Sequence, residues 1–309
     1  EWGRILLEQV GSGVSWGSSS YYLASGSWIA LTLLPICTCM GATFPLAMSA
    51  IRKSFSAEAE RSFSYLYSAN VLGAISGTVV SAFFMIELLG FQGTLRVTAA
   101  LNAILFASAF IASFAEARSG APRAKDPAGA SSEALLRSHG KGILWLLFTT
   151  GLASMAMEVV WFRQFTPYLG TVVYSFAAIL TLYLTATFLG SMAYRLWARS
   201  HEPAEDSAAW TLAWMAVGLF CLIPLVSADP RLPLAARQLH GAFRVALGIM
   251  PFCAVVGFLT PMLVDRWSRG DPKYAGTAYA INLVGSILGP LLAGFVLLPW
   301  LGERWTLLT

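Results

Sequence analysis

The chain has 309 residues, 57% hydrophobic and 12% charged, with a formal net charge of +4. A soluble domain carries about 25% charged residues. Half that density, with the charges bunched into short segments, excludes an ordinary soluble domain and leaves lipid and other apolar helices as the surroundings of most side chains. The basic balance does not signal nucleic acid, because Lys and Arg fall in the segments between apolar runs, where membrane topology needs them.

Crossing the hydrocarbon core takes about 20 apolar residues. Nine runs qualify and are lettered in chain order: A 27–51, B 65–88, C 94–114, D 143–165, E 172–197, F 208–226, G 242–264, H 277–300, and I, which begins near Trp305 and is cut off at Thr309. The longest polar stretch, 116–141, reads "EARSGAPRAKDPAGASSEALLRSHGK". Small residues, Pro and mixed charges predict a flexible connector there. It divides the chain into 1–115, carrying A to C, and 142–309, carrying D to I. The four cysteines, Cys37, Cys39, Cys221 and Cys253, lie inside apolar runs, and the three histidines are scattered in polar segments. Neither a disulfide framework, a metal site nor a cofactor is expected.

Helices B and H share a pattern. Residues 67–95 align without gaps on 279–307, an offset of 212, with ten identities in 29 positions. These include Tyr67 with Tyr279, Asn70 with Asn282, Gly73 with Gly285, Gly77 with Gly289, and Gly90 with Gly302. Upstream, "GATFPLAMSAIRK" (41–53) pairs with "GFLTPMLVDRWSR" (257–269). Helices A, B and C therefore correspond to G, H and I. The copies lie six helices apart, an even number, so they enter the membrane in the same direction and form a parallel repeat. If D to I are a complete six-helix half, three helices are expected before Glu1, and about nine of a total of twelve are present.

Loops A–B, C–D, E–F and G–H hold 13 of the 20 Lys and Arg, which places them, and the 116–141 connector, in the cytoplasm by the positive-inside rule.

Glycine is a poor helix former, yet close packing between membrane helices favours small residues. Gly73 and Gly77, and again Gly285 and Gly289, form stripes that let a partner backbone approach. The stripes serve either plain packing or a groove that opens as two halves rock. Asn70 and Asn282, one turn before them, serve either an interhelical hydrogen bond or a substrate contact, since a lone amide in hydrocarbon is costly.

Within the predicted spans Glu158 is the acidic residue farthest from a helix end, about 15 residues into D. Such a residue is a functional-site candidate by default. Trp161 lies one turn on, Arg163 five residues on, and helix E adds Tyr174 and Tyr183. A carboxylate beside aromatic rings suits an organic cation. The alternative is a Glu158–Arg163 ion pair near the outer interface, with Trp161 as a belt residue.

"GPLLAG" (289–294), with Pro290, resembles the glycine–proline motif in the fifth helix of each half of major facilitator transporters; the first copy has Thr78 in place of the proline. "ASMAMEVVWFRQFTPYLGTVVYSFAAILTLYLTATFLGS" (153–191), "GATFPL" and "YSANVLGAISG" together resemble the fused major facilitator/spermidine synthase family. That resemblance implies an all-α polytopic protein with a major-facilitator-like bundle in a bacterial inner membrane. It also implies an aminopropyltransferase-like domain following the membrane part, and a small cationic solute, such as a polyamine, as partner. The membrane part then either handles that solute or anchors the enzyme. No catalytic motif of that enzyme is present in these 309 residues, so no catalytic residue carries over.

Overall fold

The computed structural model describes residues 19–54, 62–118, 132–170, 172–199, 207–232, 240–269 and 271–308. Among them every regular element is helical. Helix α1 is Ser19–Ser54; α2, Ser62–Val80, runs through a π-helical turn, Ser81–Met85, into α3, Ile86–Arg118. Then come α4 (Ser132–Leu169), α5 (Val172–Ala198), α6 (Ser207–Phe220), α7 (Ile223–Ser227) and α8 (His240–Ser268). Helix α9, Pro272–Leu292, continues through a second π-helical turn, Ala293–Leu297, into α10, Leu298–Leu308.

Among the described residues six stretches are long and apolar enough to cross a membrane: Tyr21–Ala50, Phe63–Phe114, Gly142–Leu169, Val173–Ala198, Gly241–Ser268 and Pro272–Leu308. The second is 52 residues long, about 78 Å at 1.5 Å per residue, far more than the ~30 Å of hydrocarbon. Gly90 breaks it with φ 67° and ψ 176°, a conformation essentially confined to glycine. Helices B and C are therefore two helices meeting at Gly90. Gly302, with φ 73° and ψ 176°, breaks the chain likewise after α9. The two π-helical turns and the two glycine breaks each lie 212 residues apart. Pro290 is not what bends α9 into its π-helical turn, because α2 makes the same turn with Thr78 in that place.

Two expectations about elements need correction. Helix F is interrupted: α6 stops at Phe220, Cys221 and Leu222 form a turn, and α7 restarts for five residues with Pro224 in its first turn, where a missing N–H costs nothing. The 116–141 segment is helical at both ends, 116–118 closing α3 and 132–141 opening α4, while 119–131 lies outside the described residues.

The interior is built on two close crossings. Where α4 meets α9, a Cβ on Gly285 would run into Phe148 O and lie 2.9 Å from Leu152 N. A Cβ on Gly289 would run into Leu152 O, and one on Gly151 into Asn282 O. Where α5 meets α8, Gly190 lies against Ala254 and Gly257 against Thr187 in the same way. Glycine is needed at these points because backbone, not a movable side chain, stands opposite. Helix α2 leans on α5 through Ser68 and Ser191, whose hydroxyl oxygens are 3.0 Å apart, and through the Arg195 guanidinium, 4.1 Å from the Tyr65 ring centre. Helix α1 reaches α9 at Pro45 and Gly276 and by stacking Phe44 on Tyr279. Beyond Gly90, α3 exposes nearly all its side chains, Leu101, Phe106 and Ile111 among them.

Candidate functional site

Glu158 sits on the inner side of α4, half-buried, and its Oε2 is buried without a hydrogen-bond partner. It lies near Tyr183 of α5 and Cys253 of α8. Tyr183 lies near Ser154, which stands one turn before Glu158 and whose hydroxyl donates to Gly151 O at 3.1 Å. Tyr67 of α2 and Tyr279 of α9 both pack on Phe63, with ring centres 5.8 and 6.0 Å away. Three helices, α4, α5 and α8, thus bring a carboxylate, a phenol, a hydroxyl and a free thiol near one another, whereas Tyr67 and Tyr279 belong to a separate cluster with Phe44, Phe63 and Leu147. Such a set can hold a donor-rich cation: the carboxylate supplies charge, and Tyr183 supplies an oxygen acceptor and a ring face.

The other candidates from the sequence separate. Trp161 is fully buried and packs edge-on against Phe252 at 5.7 Å between ring centres, so it is a core residue rather than an interfacial belt residue; its indole Nε1 has no hydrogen-bond partner. Arg163 does not pair with Glu158. Its Nε lies 3.0 Å from Glu303 Oε1, just past the Gly302 break. Five residues along a helix is about 500° of rotation, which turns Arg163 to another side of α4. Tyr174 stacks on Phe83 of the first π-helical turn, with centroids 6.0 Å apart. Asn282 takes the packing role: its Nδ2 donates to Leu147 O at 2.8 Å and lies 3.4 Å from Thr150 Oγ1. Asn70, Gly73 and Gly77 are exposed, and nothing lies within 4 Å of where a Cβ on either glycine would be.

Ser154 and Cys253 carried no signal in the sequence, being small residues in apolar runs. A separate pocket of about 220 Å³ lies beyond the end of α4, lined by Gln164, Tyr168, Asp229, Glu303 and Arg304 among others.

Several apolar, membrane-length helices packed through glycine crossings define the class of the molecule: a multi-pass α-helical membrane protein. No family model matches the chain, and no curated protein or solved structure does.

Proposed function

We propose that the chain is a major-facilitator-like membrane domain with a parallel internal repeat, in a bacterial cytoplasmic membrane, and that it handles a small organic cation such as a polyamine. The observation that carries the ligand is the unpartnered Glu158 Oε2 inside the bundle. A buried carboxylate without a partner is costly, and an ammonium group relieves that cost. The repeat is supported by π-helical turns and glycine breaks in the same register. Membership of the fused family, with an enzyme domain elsewhere in the polypeptide, rests on the sequence motifs alone.

Calorimetric titration of the detergent-solubilised chain with spermidine tests the ligand. Glu158→Gln keeps shape and removes charge. Binding should be lost while the melting temperature holds, and Arg163→Gln should show no coupling to it in a double-mutant cycle. Unchanged binding in Glu158→Gln, or none in the parent chain, overturns the cation reading.

A further inference from the structure

The pocket of about 220 Å³ at the end of α4 belongs neither to the repeat nor to the surroundings of Glu158. Its walls come from the last turns of α4, from the turn that follows α7, and from Glu303 and Arg304 just past the Gly302 break. The protein itself fastens each wall. The Tyr168 hydroxyl donates to Ala228 O at 2.8 Å, and the Arg244 guanidinium donates to the carbonyls on either side, those of Ser227 and Asp229. Arg163 holds Glu303 at 3.0 Å. The charges past Gly302 are not needed to make the turn. The first copy breaks in the same way at Gly90, with Phe91 and Gln92 where the second has Glu303 and Arg304.

Three polar groups in these walls are left without full partners. Gln164 is 9% exposed, and its Oε1 is buried with no hydrogen-bond partner. The Asp229 carboxylate accepts one bond, from the Arg231 backbone N–H at 3.0 Å, and among the described residues forms no ion pair. Arg304 is exposed and pairs with no carboxylate among the described residues, since Glu303 beside it is taken by Arg163. Asp229 and Arg304 thus line one cavity with opposite charges and do not pair with each other. We propose that this pocket binds a small zwitterion, a primary ammonium and a carboxylate joined by a short apolar stem. The ammonium goes to Asp229 and Gln164, because it brings the donors that both lack. The carboxylate goes to Arg304, whose planar fork of donors matches it. Pro167, Leu225 and Ala228 supply apolar lining for the stem. A plain cation answers Asp229 and opposes Arg304; a plain anion does the reverse. The site is independent of the cation proposed at Glu158, which lies six residues back along α4, about 9 Å at 1.5 Å per residue.

The test is calorimetric titration of the whole 309-residue chain in detergent with zwitterions of rising length: glycine, β-alanine, γ-aminobutyrate and ε-aminocaproate. One member should bind saturably and better than the rest, because the stem must span a fixed gap between two fastened walls. Butylamine and butyrate, each carrying one of the two charges, should bind roughly tenfold more weakly or worse. Asp229→Asn keeps the shape that accepts the Arg231 N–H, and Arg304→Gln changes an exposed side chain, so both should leave the melting temperature unchanged. Each should weaken the preferred zwitterion by roughly tenfold or more. Glu158→Gln should leave zwitterion binding intact, and Arg304→Gln should leave spermidine binding intact, so the two sites fail separately. Absence of binding by the whole series overturns the proposal. So does binding that either Asp229→Asn or Arg304→Gln leaves unchanged, or butylamine or butyrate binding as tightly as the zwitterions.

Discussion

Replacing Gly285 with alanine adds one methyl group at the point where α9 touches α4. The new Cβ would run into Phe148 O and lie 2.9 Å from Leu152 N, and both are backbone atoms that cannot rotate aside. Ordinary contact needs about 3.5–4.0 Å, so the two helices must part by roughly 1 Å. A gap of 0.5–1 Å forfeits about a quarter to a half of each dispersion contact along the crossing. In lipid no hydrophobic force between helices makes up for that loss. The Asn282 bond to Leu147 O, 2.8 Å long, stretches in the same movement. Overpacking of this kind costs about 1–3 kcal/mol. At ~2–4 °C per kcal/mol, the melting temperature should fall by several degrees. The matched change, Gly73→Ala, places its methyl group in open space, and alanine is the better helix former by about 1 kcal/mol. That variant should melt at or above the parent chain. The assay is circular-dichroism melting in detergent, with Gly289→Ala and Gly77→Ala as a second pair. Equal melting of Gly285→Ala and Gly73→Ala would refute the reasoning, because the argument depends wholly on backbone standing opposite one glycine and not the other.

Gly90→Ala forces a Cβ into a backbone conformation that costs of order 1–3 kcal/mol for other residues and should lower the melting temperature, whereas Gly41→Ala, helical and facing open space, should not; equal effects would mean that the break at Gly90 relaxes freely. The cytoplasmic side is tested at the connector, whose 116–141 stretch carries five Lys and Arg: a cysteine at Ser132 should resist an impermeant reagent applied to intact cells, and labelling above the background of the native cysteines would reverse the topology.

Much of the helical order was legible because membrane spans announce themselves by length and hydropathy alone, and the tally of apolar runs needed no tertiary information. The interruption of helix F was hidden for a physical reason. Its composition suits a span, but the pause at Cys221–Leu222 and the restart at Pro224 are set by local geometry that hydropathy does not register. The pairing of Arg163 was hidden as well. Sequence distance favoured Glu158, whereas Glu303 approaches because the Gly302 break turns the chain back toward the end of α4, a contact between residues 140 positions apart. The packing role of glycine was legible only in half: identical stripes predict identical capacity, and which of them is covered depends on what stands opposite. The Asn282 bond followed from the rule that an amide in hydrocarbon seeks an acceptor, and the exposed Asn70 is the same rule with no acceptor placed beside it.

Buried polar groups in this molecule fall into two kinds, and the difference separates scaffold from site. Arg244 has the largest charge-bearing side chain in the interior, yet its guanidinium donates to the carbonyls of Ser227, Asp229 and Leu232 and lies 5.6 Å from the Tyr168 ring centre. It ties the end of α7 and the turn after it to the start of α8, and every direction it points in is answered by protein. Arginine suits that task, since a planar fork of donors reaches several carbonyls at once. Glu158 is the opposite case. Two turns of α4 around it leave Glu158 Oε2, Trp161 Nε1 and Gln164 Oε1 buried without partners. Each such group calls for an explanation, because nearly all buried polar atoms in native proteins are satisfied. Glu158 alone among the three can carry a charge, and it lies near Tyr183 and Cys253. The fold supplies three carbonyls to Arg244 and, among the described residues, no hydrogen-bond partner to Glu158 Oε2, and this contrast is what motivates the proposed cation.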